Sequence, residues 1–99
     1  MNKVPYEERA KVYFNALVTY GEESQIIKAV EEMSECIRAI CKVYLGGEDF
    51  SNLAEEIADA TIMLEQLRII FNNNEEVCRY MDEKIIRLDA KLRGDEWIE

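Results

Sequence analysis

Residues 26–44 have the sequence IIKAVEEMSECIRAICKVY, and this stretch decides the fold class of the chain. Its apolar residues recur at spacings of four and three, as they do along one face of an α-helix. They are Ile26, Val30, Met33, Ile37, Ile40 and Tyr44. The stretch also contains Glu32 and Glu35, which are three residues apart and therefore lie on the same side of that helix. It predicts an amphipathic helix with two acids beside its apolar stripe.

The same periodicity predicts a helix before this stretch. It starts at Pro5, since proline suits a first helical turn, and Gly21 interrupts it. The second helix then starts near Glu22–Ser24, where acids favour the positive end of the helix dipole. It ends at Gly46–Gly47, since glycine is the usual residue just past a helix C-terminus.

Two more helices are predicted after the glycine pair. Asp49 or Ser51 can cap a third helix that continues to Phe71. A turn signal at Asn72–Asn74 separates it from a fourth helix at about Glu75–Arg93. Because no alternating strand pattern appears anywhere, the predicted fold is all-α, with a four-helix bundle-like protomer.

The third helix is apolar on more than one side. Ala58, Ile62 and Ile69 form a second stripe away from the main one. A helix that is apolar around most of its girth is buried on several faces, and a single domain of residues 1–99 has too few elements to cover both stripes. We therefore expect a homo-oligomer, a dimer or a tetramer, that assembles through its helices.

Composition excludes several classes of function. The formal net charge of −9 argues against a nucleic-acid or anionic-membrane surface. The absence of histidine excludes a Ser-His-Asp triad, a Cys-His pair, an H-E-x-x-H zinc site and a Glu-x-x-His di-iron site. The three cysteines, an odd number without a C-x-x-C motif, are typical of reduced thiols in a cytoplasmic protein. No apolar run approaches the length of a membrane span.

A second pair of acids lies on the third helix. Glu56 and Asp59 form an E-x-x-D pair, and Glu56 falls inside the core-facing stripe. A carboxylate in that position is costly unless it is paired, hydrogen-bonded or bound to metal. Together with Glu32 and Glu35, the pair would form a four-carboxylate cage for Mg²⁺ or Mn²⁺, which prefer oxygen ligands. The two pairs can meet only if the joint Gly46–Phe50 runs back along the bundle.

The pattern resembles a known family. An E-E-x-x-E motif at 31–35 followed by E-x-x-D at 56–59 is similar to the signature of MazG-like nucleoside triphosphate pyrophosphohydrolases, of the all-α NTP pyrophosphatase superfamily. The resemblance extends to a G-x-x-x-Q-x-x-K lead-in at 21–28, to the segment 52–67 and to a closing K-x-x-R-L helix that begins at Lys84. It covers roughly residues 17 to 93.

The resemblance implies cleavage of an NTP or dNTP to the monophosphate and pyrophosphate, with nucleotide-pool house-cleaning as a possible role. It implies Mg²⁺ as the cofactor, with Mn²⁺ as an alternative. The implied metal ligands are Glu32, Glu35, Glu56 and Asp59. The implied catalytic acids are Glu31 and Glu32, of which Glu31 would position or deprotonate the attacking water. The implied substrate contacts are Gln25, Lys28, Lys84 and Arg87, of which the last three would face the phosphates.

Two alternatives stay open at the level of sequence. The chain can be a non-catalytic helical module that only oligomerises or mediates interactions. It can also be an enzyme of the same superfamily that acts on dUTP or phosphoribosyl-ATP. A single sequence does not show the shape of a base pocket, so base selectivity is not predicted.

Overall fold

The computed structural model describes residues 3–47 and 52–94, and within these ranges the chain is all-helical. The described residues form four helices and no strand, as predicted. They are α1 (Tyr6–Tyr20), α2 (Glu22–Gly46), α3 (Leu53–Ile70) and α4 (Asn74–Leu92). Asp49, Ser51 and most of the joint Gly46–Phe50 lie outside the described residues, as does the tail after Gly94.

Local chemistry explains where these helices begin and end. Pro5 precedes α1 in an extended conformation, and its carbonyl accepts hydrogen bonds from the first turn of that helix. Gly21 has φ 94° and donates its N–H to the carbonyl of Leu17, so the chain turns there at little steric cost. Gly47 has the left-handed conformation that commonly ends a helix. Acids occupy the first turn of every described helix, where the helix dipole favours them.

The helices α1, α2 and α3 pack together, and the packing between α2 and α3 is the most extensive. The helix α4 contacts α3 alone, near the turn that joins them. At that turn, the Arg68 guanidinium donates to Asn74 Oδ1 at 3.3 Å and lies 3.6 Å from the Met81 sulfur. The bundle-like packing therefore involves three helices, and α4 extends from it.

Beyond Val77, which is half-buried, the apolar stripe of α4 is left uncovered by the other helices at 3–47 and 52–94. Met81, Ile85, Leu88 and Leu92 are all exposed, the last at 77%. Few apolar side chains are buried among the described residues, namely Tyr13, Ala29 and Ala90. The radius of gyration is 16.7 Å, whereas a compact chain of this length would have about 13 Å. The chain is thus less compact than is usual for its length, and many of its large apolar side chains are exposed.

None of the helices at 3–47 and 52–94 combines the length and the hydropathy that crossing a bilayer requires. The three cysteines, Cys36, Cys41 and Cys78, are all free thiols.

Candidate metal centre

The packing of α2 against α3 brings three of the four predicted metal ligands together. Glu32 and Glu35 come from α2, and Glu56 comes from α3. One carboxylate oxygen of each lies within 4.8 Å of the other two. Oxygens around a cation with bonds of 2.0–2.1 Å stand about 3 to 4 Å apart, so small rotations of these side chains would close the group around one ion.

Glu56 shows the clearest need for a partner. Its Oε2 accepts a hydrogen bond of 3.1 Å from Asn52 Nδ2. Its Oε1 is buried and has no hydrogen-bond partner, although the side chain as a whole is half-buried. A buried acceptor without a partner costs roughly 1–3 kcal/mol. A hard cation bound between α2 and α3 would satisfy this oxygen, so the donor set and its unpaired atom both fit Mg²⁺ or Mn²⁺.

Glu32 is partly shielded and has a basic neighbour. Its side chain is 13% exposed, and its Oε2 lies 3.2 Å from Lys28 Nζ, one turn earlier on α2. The hydrogen bond to Glu32, helped by the negative charges of Glu32, Glu31 and Glu35, raises the pKa of Lys28. Lys28 therefore stays charged and places an ammonium group at the edge of the acid group.

The remaining predicted acids lie beside this group. Asp59 is half-buried one turn further along α3, and the group of three close carboxylates does not include it. Glu31 is exposed and lines a cavity next to the acids. It stands where a group that acts on water would have access to solvent.

Lys84 and Arg87 are exposed on α4. That helix makes no contact with α2 within the described residues, so a single protomer does not pack these cations against Glu32 and Glu35. Gln25, by contrast, is buried, and its Oε1 accepts a hydrogen bond of 2.6 Å from Gln66 Nε2 of α3.

The two glutamines line an open cavity of about 1120 Å³ between α1, α2 and α3. Its walls include Tyr13 and Tyr20 from α1, and Lys28 and Glu31 lie on its α2 side. Lys28, on the α2 wall of the cavity, contacts Glu32, but Glu32, Glu35 and Glu56 do not line the cavity themselves. A ligand in the cavity would therefore lie beside aromatic and amide groups and beside Lys28 and Glu31.

A second polar cluster holds α1 against α3. The Arg9 guanidinium donates two hydrogen bonds to the Glu65 carboxylate, at 2.9 and 3.0 Å. The Tyr13 hydroxyl donates to the same carboxylate at 2.6 Å. The bond from Arg9 lowers the pKa of Glu65, with a further contribution from Tyr13. Burial, and then the hydrogen bond to Glu65, raises the pKa of Tyr13 to about 12.

Gln66, Glu65 and Arg9 were not among the predicted site residues. Glu65, Gln66 and Arg68 are the polar residues of the otherwise apolar segment 62–70 of α3. Polar residues at such positions need partners, and that is the signal by which the sequence could have identified them. Their partners on α1 and α2 are far away in the chain, so only the packing reveals them.

No protein-family model matches this sequence, and no match to it is found among curated proteins or solved structures.

Proposed function

We propose that this chain is a Mg²⁺-dependent, MazG-like nucleoside triphosphate pyrophosphohydrolase, which converts an NTP or dNTP to the monophosphate and pyrophosphate. The observation that supports it most is the approach of Glu32, Glu35 and Glu56 within 4.8 Å, with one buried Glu56 oxygen left without a partner. Three carboxylates in such proximity repel one another, and a divalent cation removes that repulsion.

Each residue of the site has a chemical role in this proposal. Glu32, Glu35 and Glu56 would hold the cation, and Asp59 would join them through a shift of its side chain. Bound Mg²⁺ would neutralise the triphosphate and lower the pKa of a water molecule. Lys28 binds a phosphate oxygen, and Glu31, exposed to solvent, orients the attacking water and accepts its proton. Most of the rate enhancement then comes from positioning and charge stabilisation.

The cations of α4 complete the site through assembly. We propose a homo-oligomer, a dimer or a tetramer, in which the exposed apolar stripes of α3 and α4 are covered by neighbouring subunits. Lys84 and Arg87 adjoin the α4 stripe, so a subunit interface that buries this stripe would bring them towards the phosphates of a substrate. The three free thiols favour a reducing compartment, and we place the protein in the cytoplasm.

The test is pyrophosphate release from a panel of NTPs and dNTPs with Mg²⁺. Wild type should release pyrophosphate, and Glu56→Gln should lose at least about 100-fold in kcat, a loss typical of removing one group that stabilises reacting charge. Glu55→Gln is the matched control, because Glu55 is the neighbouring residue of α3, exposed and outside the acid group. Circular dichroism verifies that both variants retain their helices.

Release that is equal in wild type and Glu56→Gln would reject the metal site as the catalytic centre. Phosphoribosyl-ATP and dUTP belong in the same panel, since strong preference for either would assign the chain to another enzyme of the superfamily.

A non-catalytic helical oligomerisation module is the second candidate. The extent of exposed apolar surface on α3 and α4 favours an assembly role. This candidate predicts a stable oligomer that releases no pyrophosphate from any nucleotide and is not stabilised by Mg²⁺. The enzymatic proposal predicts the opposite on both counts.

A further inference from the structure

We infer that, in the assembled protein, Trp97 of one subunit fills the pocket between α3 and α4 of a second copy of the chain. The inference rests on the homo-oligomer that belongs to the proposed function, and not on the metal site or on hydrolysis. Residues 95–99, with the sequence DEWIE, lie outside the described residues, and Trp97 is the single tryptophan of the chain.

The pocket lies at the turn that joins α3 to α4 and has a volume of about 370 Å³, which is enough for one large aromatic side chain. Its apolar walls are open to solvent, since Leu64 is 48% exposed and Phe71 is 56% exposed. An aromatic ring that entered it would bury much of its own surface as well as these walls. The residues that line it are Leu64, Leu67, Arg68, Phe71, Asn73 and Val77.

Two polar groups of the pocket lack the partners that such groups usually have. Asn73 Oδ1 is buried and accepts no hydrogen bond from the residues at 3–47 and 52–94. The Arg68 guanidinium donates to Asn74 Oδ1 and lies near the Met81 sulfur. However, no ion pair within those same ranges includes Arg68. The pocket therefore calls for a hydrogen-bond donor and an anion in addition to an apolar ring.

Residues 95–99 supply all three groups. The Trp97 indole combines an apolar ring with one N–H donor, and a buried indole usually finds an acceptor for that N–H, here the oxygen of Asn73. Acids stand on both sides of Trp97 in the sequence. One of their carboxylates can accept charge-assisted hydrogen bonds from Arg68, and the guanidinium can also pack on the face of the indole.

The same chain cannot bring Trp97 to its own pocket. Val77 lines the pocket in the first turn of α4, whereas Gly94 lies beyond the last turn of that helix. At 1.5 Å per residue the two positions are about 25 Å apart along the helix. Trp97 is three residues after Gly94, and three residues span at most about 11 Å. A tryptophan in the pocket must therefore come from another copy.

The apolar stripe of α4 gives the geometry of the contact between copies. Its positions are symmetrical about residues 84–85, so two α4 helices that pair antiparallel around a two-fold axis bring stripe residues opposite each other. Gly94 of one helix then lies beside the first turn of the other α4, which borders the pocket. Trp97 is within reach from there. The facing positions are Val77 with the partner's Leu92 and Met81 with the partner's Leu88.

The charges of α4 favour the antiparallel orientation. Residues 74–83 include four acids and one base, whereas residues 84–93 include four bases and one acid. Antiparallel pairing sets each acidic half against a basic half, and it also aligns opposite ends of the two helix dipoles. Parallel pairing would set like halves together and would place both copies of residues 95–99 at the end remote from the pockets.

Trp97 fluorescence measures the occupancy directly, because no other tryptophan contributes. The reference is a peptide of residues 94–99 with blocked ends, whose indole is in water. Assembled wild type should emit at a shorter wavelength than the peptide and should resist quenching by iodide. Trp97→Ala should raise the dissociation constant of the oligomer at least about 30-fold, the usual effect of losing a buried aromatic anchor.

Mixing two variants tests whether the contact is made between copies. Leu64→Glu adds a charge to the pocket at an exposed position and retains Trp97. Trp97→Ala retains the pocket. Only a mixed oligomer combines an intact pocket with a tryptophan, so mixing should move the emission of Leu64→Glu to shorter wavelength. Emission that does not change on mixing would overturn the inference.

A second pair of variants tests the helix contact without altering the pocket. Ile85→Glu places two carboxylates together at the centre of an antiparallel pair, so it should give a monomer that emits like the peptide. Ile86→Glu is the matched control, because Ile86 is 64% exposed and Ile85 is 63% exposed, yet Ile86 lies about 140° around the helix from the stripe. It should retain both the oligomer and the shifted emission.

Sedimentation equilibrium gives the oligomeric state of each variant and separates this inference from the proposed function. A wild-type oligomer whose Trp97 emits like the peptide, a Trp97→Ala oligomer of unchanged stability, or a monomer of Ile85→Glu that keeps the shifted emission would overturn the inference while the homo-oligomer stands. A monomeric wild type would defeat the inference and the homo-oligomer together. None of these measurements uses pyrophosphate release, so the result holds whether or not the chain hydrolyses nucleotides.

Discussion

Neutralising Glu56 should make the metal-free protein more stable, although it removes a residue of the proposed site. In wild type, Glu32, Glu35 and Glu56 place oxygens within 4.8 Å of one another. At that separation one pair of like charges costs about 1 kcal/mol in water and about 3.5 kcal/mol at an effective dielectric constant of 20. Glu56→Gln removes two such pairs, and its oxygen can still accept the hydrogen bond from Asn52.

The expected gain in the free energy of unfolding lies near the value calculated for water. Glu35 is exposed and Lys28 already offsets part of the charge of Glu32, so the repulsion is screened. We expect about 2 kcal/mol in EDTA, and with a shift of about 4–8 °C per kcal/mol for a domain of this size, the midpoint should rise by roughly 10 °C. Wild type should in turn gain stability from millimolar Mg²⁺, about 2.7 kcal/mol at a hundred times its Kd, and the variant should lose that gain.

Thermal melting in EDTA and in Mg²⁺, at one protein concentration, measures both effects. Glu55→Gln is again the control, and it should move neither midpoint by more than about 0.5 kcal/mol, as is usual for surface substitutions. A variant that melts below wild type in EDTA, or a wild-type midpoint that Mg²⁺ leaves unchanged, would show that the three carboxylates do not form a cation site.

Two further predictions concern assembly and pH. Ile62→Glu should split the oligomer or prevent its folding, because it places an unpaired charge in an apolar interface; light scattering decides it, and a wild-type monomer at micromolar concentration would refute the assembly argument. Stability should decline at both pH extremes through the cluster of Tyr13 and Glu65. Because the pKa of Tyr13 is raised in the fold, its contribution to stability is complete below pH 10 and is lost as the pH rises through about 12. Because the pKa of Glu65 is lowered in the fold, its contribution is present above the ordinary pKa of 4.5 and is lost in stronger acid. Urea unfolding of wild type and Tyr13→Phe across this range measures the first effect, and an identical alkaline decline in both would contradict it.

The positions of the helices could be predicted because they depend on local chemistry. Gly21 and the Asn72–Asn74 turn mark boundaries that the structure reproduces to within about one residue of the expected ones. Two acid pairs on neighbouring helices could also be predicted, because residues three apart lie on the same side of a helix. The prediction did not hold for the whole set, because Asp59 lies outside the group that Glu32, Glu35 and Glu56 form.

The placement of α4 could not be predicted in the same way. Its stripe through Met81, Ile85 and Leu88 indicates burial but does not say whether the cover comes from the same chain or another. In the protomer these residues are exposed. The Gln25–Gln66 contact likewise depends on the register of α2 against α3, which no local spacing encodes. Long-range register is thus the information that separates the observed site from the predicted one.

The ion pair between Lys28 and Glu32 has a thermodynamic consequence for the proposed enzyme. A divalent cation and the Lys28 ammonium compete for the Glu32 carboxylate. Metal that binds without a nucleotide must displace the ammonium, so its binding free energy is smaller than it would be at a carboxylate with no ion-pair partner. The displaced ammonium belongs to a side chain that is more than half exposed, and it becomes available to an incoming phosphate. Cation and phosphate then increase each other's affinity by the same factor, because coupling between two ligands is reciprocal. The pair would favour loading of the metal together with the nucleotide over loading of the metal alone.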